Sequence, residues 1–132
     1  MALATAIALA GLWEETGVLA AGAIERGEVV FQKCYACHSV VPGETGLSGP
    51  NLAGVVGLAI AGVAGFTYSD ALEALPAQGH RVWTEAALDA FLTSPEDFAP
   101  GTAMTFVGLP DTKERADLIA YLAATQAGIG RE

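Results

Sequence analysis

The chain has 132 residues, 52% of them hydrophobic, and a formal charge of −9 from fifteen acidic and six basic side chains. That length suits one domain able to bury a core, and the charge makes nucleic acid and anionic membrane surfaces poor partners. No stretch approaches the roughly 20 apolar residues of a membrane span.

Residues Ala2 to Trp13 are apolar, and Glu14 and Glu15 end the run abruptly. In length and small-residue content this resembles the apolar part of a secretory signal, but the first basic residue is Arg26. Residues 1–22 therefore read as an apolar N-terminal extension, either a signal remnant or an extra packed or partner-facing helix. The domain proper is expected over 23–128, with a tail over 129–132. From about Ala23 to Tyr35 the pattern is helical, with Ile24, Val30 and Phe31 set among Glu25, Arg26, Glu28, Gln32 and Lys33. Gly27 sits inside that helix at a cost of about 1 kcal/mol relative to alanine. Close approach of another helix is the physical reason such a glycine is kept.

Cys34-Tyr35-Ala36-Cys37-His38 follows, and it holds the only two cysteines and one of the only two histidines. A Cys-x-x-Cys-His run is the attachment signature of c-type haem: two thiols add across the porphyrin vinyl groups, and the adjacent imidazole reaches the iron. Cysteines three apart near a helix end face one side, which is what two vinyl groups on one edge require. Other readings are weaker. A disulfide across two intervening residues is strained and closes almost no loop. A thioredoxin-like pair needs a buried strand upstream, and none is visible. A zinc site needs more ligands, and His80 is the only spare histidine.

The stretch from Val41 to Pro50 is dense in turn residues and reads as a loop. Gly54 to Phe66 carries no charge and four glycines; it reads as a loop over the core, with an apolar partner surface as the alternative. Thr67-Tyr68-Ser69-Asp70 is expected to be a capping box opening a short helix that Pro76 ends. Thr84 caps the next helix, with Leu88, Phe91 and Leu92 on one face, and Ser94-Pro95 stops it. Glu96 to Gly108 is expected to be irregular. The last helix starts at Asp111, pairs it with Glu114, and turns Leu118, Tyr121 and Leu122 inward before Gly128. Met104 is the only internal methionine and lies in a loop rather than on a helical stripe. A thioether is a soft donor suited to haem iron, so Met104 is the natural second axial ligand, with His80 as the alternative.

Taken together, several blocks carry a resemblance. They are Gly27-x3-Phe31-x2-Cys34-x2-Cys37-His38, Gly49-Pro50-Asn51-Leu52, Gly65-Phe66-Thr67-Tyr68-Ser69-Asp70, Trp83-Thr84, Pro95, Pro100-Gly101-Thr102-x-Met104-x-Phe106 and Glu114 through Leu122. In this order, over about Glu25 to Ala124, the chain resembles the class I c-type cytochromes, mitochondrial and bacterial. The resemblance implies an all-α fold, three to five helices around one covalent haem c, with long loops. It also implies that Pro50 offers its carbonyl to His38, that Tyr68 and Trp83 hydrogen-bond a propionate, and that Thr102 closes the far side. Gly27 and Tyr121 would mark the crossing of the first and last helices. His38 and Met104 would be the iron ligands, with no catalytic residue because neither axial position is vacant.

Departures from the family pattern are informative. Leu58 stands where an arginine often faces the propionates, and Arg81 is the only nearby substitute. Phe91 and Leu72 replace a tyrosine and an asparagine, which dries the pocket. Glu96, Asp97 and Ala103 replace the lysines that ring the haem edge in mitochondrial relatives. A redox partner with a basic or apolar docking face is therefore expected. The resemblance implies a one-electron carrier in the bacterial periplasm, with any membrane association made through a partner or the N-terminal segment. The alternatives are a haem subunit of a larger periplasmic redox complex and, further off, a ligand-binding or peroxidase-like haem protein.

Overall fold

A computed structural model describes residues 10–125. It contains α1 (Ala10–Phe31), α2 (Asp70–Ala74), a 3-10 turn (Pro76–Gln78), α3 (Glu85–Thr93), α4 (Pro95–Phe98) and α5 (Thr112–Ala124). Among the described residues there is no strand, only an isolated antiparallel bridge between Ala59 and Val82. The all-α expectation is met. The apolar run before Ala10 and the segment beyond Thr125, with Gly128 and the tail, lie outside the described residues.

Several boundaries differ from expectation. α1 starts at Ala10 rather than near Ala23, so one continuous helix crosses position 22. It also ends at Phe31, before Tyr35, because the next amides bond three residues back: Lys33 N–H to Val30 O at 3.0 Å and Cys34 N–H to Phe31 O at 2.8 Å. The cap of α2 is Ser69 rather than Thr67, its hydroxyl accepting from Leu72 N–H at 3.3 Å. Pro76 opens the 3-10 turn, where a missing N–H costs nothing. Ser94 ends α3 and at the same time caps α4, accepting from Asp97 N–H, so one turn of helix interrupts the segment expected to be irregular. Thr84 and Asp111 cap α3 and α5 as expected.

The frame is the crossing of α1 and α5. Val30 and Phe31 bury against Leu118, Ile119 and Leu122, and the rings of Phe31 and Tyr121 lie 5.6 Å apart. At Gly27 the backbones touch: a Cβ there would run into the carbonyl oxygen of Asp117 and lie 2.6 Å from Cβ of Tyr121. Asp117, buried beside the crossing, accepts from Arg26 Nε at 2.9 Å and Lys113 Nζ at 3.0 Å. The Arg26 hydrogen bond, helped by that of Lys113, holds its carboxyl below the usual carboxylate range.

The uncharged stretch 54–66 folds inward. Val55 and Ile60 are core residues, and none of its large apolar side chains is among the exposed ones. Its backbone is tied at both ends, Gly54 N–H to Thr125 O at 2.9 Å and Gly57 N–H to Trp83 O at 2.8 Å. The loop-over-core reading fits, and the reading as an apolar partner surface does not.

Candidate haem site

The Cys34 to His38 segment is a single turn. The carbonyl of Cys34 accepts from both Cys37 N–H at 3.1 Å and His38 N–H at 2.9 Å. The loop after it folds straight back: Gly49 N–H reaches Cys37 O and Leu52 N–H reaches Ser39 O, each at 2.8 Å. Asn51 bolts the loop shut, donating from Nδ2 to Val41 O at 2.6 Å and to Glu44 O at 2.9 Å. Pro50 sits between these ties, and its carbonyl accepts from His38 Nδ1 at 2.7 Å. Gly49 rests on the imidazole so closely that a Cβ would overlap the ring. His38 is buried, which pushes its pKa down against the opposing pull of the Pro50 carbonyl. Burial thus favours the neutral imidazole, in which Nδ1 is committed to Pro50 and Nε2 can bind a metal. Burial likewise pushes the Cys34 thiol up.

Beside this turn lies a cavity of about 740 Å³, within the range of cofactor pockets. Cys34, Cys37, His38, Pro50, Tyr68, Trp83, Thr102 and Met104 all line it. The rest of the wall is largely apolar, including Leu52, Val55, Leu58, Phe66, Leu72, Leu88, Phe91, Leu92, Phe106, Leu118 and Leu122, and among the described residues Lys33 is its only charged one. His80 does not line the cavity; it is exposed, its ring 4.6 Å from that of Phe98. Nor does Arg81, so among the described residues no arginine replaces the one missing at Leu58.

Tyr68 Oη accepts from Val63 N–H at 3.1 Å, which leaves the hydroxyl proton for a further acceptor. Burial pushes its pKa up, so it stays a donor. Trp83 packs against both Phe91 and Phe98, ring centroids 5.1 and 6.1 Å away. The methionine loop is shaped at its entry by Gly101, at φ +86°, whose N–H donates to Glu96 Oε1 at 3.0 Å. Thr102 then caps the turn, its Oγ1 accepting from Met104 N–H at 3.2 Å. Glu96, read from the sequence as a purely surface acid, therefore also holds the loop. Asn51 carried a signal too, an asparagine directly after Gly-Pro, but a role in locking the histidine loop needs the fold.

Two thiols, a neutral imidazole with one nitrogen free and a thioether, gathered on one apolar cavity, define a protein built to hold a covalently attached haem. A family model described as Cytochrome c matches residues 24–126. Cytochrome c2 of Rhodomicrobium vannielii is 41% identical over 127 residues, covering 96% of this chain and 98% of that relative. Cytochrome c-550 of Ancylobacter novellus is 41% identical over 102 residues, covering 77% and 94%. Among solved structures, cytochrome c2 from Rhodospirillum centenum superposes with a TM-score of 0.71 at 37% identity, covering 78% of this chain and 98% of that one. The chain belongs to the cytochrome c family. Its cofactor is one covalent haem c, and it is a c-type haem electron carrier.

Proposed function

We propose that the protein shuttles single electrons through a haem held by Cys34 and Cys37 and ligated axially by His38 and Met104. The observation that carries this reading is that a buried imidazole, already fixed through Nδ1, and the only internal methionine line the same apolar cavity. The haem, when attached, supplies the one-electron couple. The Pro50 carbonyl fixes the His38 tautomer and strengthens Nε2 as a donor. Tyr68 and Trp83 bind a propionate, and Thr102 closes the methionine side. Leu58, Leu72 and Phe91 keep water and charge away from the iron, which disfavours the more positive ferric state. With both axial positions filled, no vacancy is left for substrate chemistry. The test is an absorption spectrum of both oxidation states. A low-spin c-type spectrum with a sulfur-to-iron band in the ferric form is expected; a ferric form without that band would remove Met104 as ligand.

The docking partner is a redox protein with a basic or apolar face. Arg26, Lys33, Lys113 and Arg115 are each engaged in an ion pair. Among the described residues that leaves Arg81 as the one unpaired cation, while Glu96, Asp97 and Ala103 are exposed. Apolar contact area is available in Val107, 88% exposed, and Tyr35, 68% exposed. Electron transfer to an acidic-docking oxidase is expected to be slow at low salt and to quicken as ionic strength rises toward about 0.15 M. A rate that is fast at low salt and falls on salt addition would overturn this reading. The periplasm of a bacterium is the compartment this chemistry fits. Among the described residues no helix is long and apolar enough to cross a membrane. Because stretch 54–66 is folded inward, one of the two features favouring a complex subunit is gone, and a free carrier is the preferred reading.

A further inference from the structure

We propose that Arg115, held by Asp89, is a positioning residue that clamps the exit of the methionine loop and so governs how firmly Met104 stays on the iron. The proposal rests on the ligation by Met104 argued above.

Between Met104 and the cap of α5 the chain has no regular structure, so whatever fixes its far end decides how far the methionine can swing. That end is fixed on two sides. Toward α3, Leu109 N–H donates to Leu92 O at 2.7 Å, and Gly108, at φ +112°, lies so close to Thr93 O that no Cβ would fit. Toward α5, the guanidinium of Arg115 donates from Nη1 to Leu109 O at 2.8 Å and to Pro110 O at 3.1 Å. Its Nε donates to Asp89 Oδ1 on α3 at 2.8 Å, and Nη2 reaches Thr112 Oγ1 at 3.4 Å. Arg115 is only 8% exposed. One side chain therefore joins α3, the loop exit and α5, the same helices that contribute Phe91, Leu92, Leu118 and Leu122 to the cavity wall.

A planar fork with donors on several edges is what these divergent acceptors require, and a lysine ammonium at the end of a flexible stem cannot hold the same set. Losing the fork leaves the Leu109 carbonyl buried without its donor, and the loop exit gains an open arrangement in which the thioether is off the metal. A competing ligand reads that open fraction directly, because its apparent affinity scales with the population able to accept it.

Imidazole titrated into the ferric holoprotein is the test. Arg115→Lys is expected to bind imidazole about tenfold more tightly than the parent. Asp89→Ala, a change at a half-buried side chain, is expected to tighten binding about threefold. Arg26→Gln, which breaks an ion pair elsewhere on α5, is expected to lower the unfolding midpoint with imidazole affinity unchanged. If Arg115→Lys does not fold, Asp89→Ala carries the test alone. Unchanged imidazole affinity in whichever of the two folds would overturn the clamp, as would equal tightening in Arg26→Gln. A parent protein lacking the sulfur-to-iron band would remove Met104 ligation, and the clamp with it.

Discussion

Replacing Met104 by alanine is expected to lower the reduction potential by on the order of a few hundred mV, because the axial thioether favours the ferrous state. The ferric sulfur-to-iron band should vanish, and carbon monoxide should bind the reduced variant while leaving the reduced parent untouched. The size of the effect follows from the cavity. Among the described residues its wall carries no thioether besides Met104 and no imidazole besides His38, and His80 is outside it, its ring tilted against that of Phe98. A variant that keeps the parent's potential and refuses carbon monoxide would show that another group ligates the iron. Carbon monoxide binding to the reduced parent would instead favour a gas-binding or enzymatic haem protein.

Gly27→Ala is expected to destabilise the holoprotein by about 3 kcal/mol, the upper part of the range for overpacking. Helix propensity alone predicts the opposite sign, a gain of about 1 kcal/mol. The close approach decides, because the added methyl meets the rigid α5 backbone at Asp117 as well as Tyr121. Gly22→Ala, in the same helix, would meet only the flexible end of Arg26 at 3.2 Å and should be neutral or stabilising. Denaturant unfolding of the two variants reads both signs, and a stable Gly27→Ala protein would remove the crossing as the reason for the glycine.

The pieces legible in the sequence were those set by short spacing or by unlike residues standing alone. Cys34, Cys37 and His38 lie within one turn, Met104 has no internal rival, and Gly27 is costly where it stands, so each pointed to its place. The caps at Thr84 and Asp111 were readable because one side chain meets one amide three residues on. Thr67 and Ser69 offer the same capping chemistry two residues apart in the sequence; in the fold Ser69 takes the role, with Leu72 buried beneath it. α4 was missed because Ser94 ends one helix while starting the next. Glu96 and Arg115 look like ordinary surface charges in a sequence; their partners at Gly101, Leu109 and Asp89 become neighbours only when the loops close. The departures at Leu58, Phe91 and Leu72 were readable as losses of polarity, but that Arg81 fails to compensate depends on where its loop runs.

The two flanks of the haem site differ in how much chain must close to build them. The histidine side is complete within its own segment: the bond from His38 to Pro50 spans 12 positions, and the ties made by Asn51 span 10 and 7. The methionine side depends on Arg115, which reaches back 26 positions to Asp89, on a helix whose own seat on α1 spans 91. Closing a longer stretch costs more entropy. The proximal flank can therefore organise from a local nucleus, while the distal flank waits for the C-terminal helix to dock and is the first to open when that helix loosens.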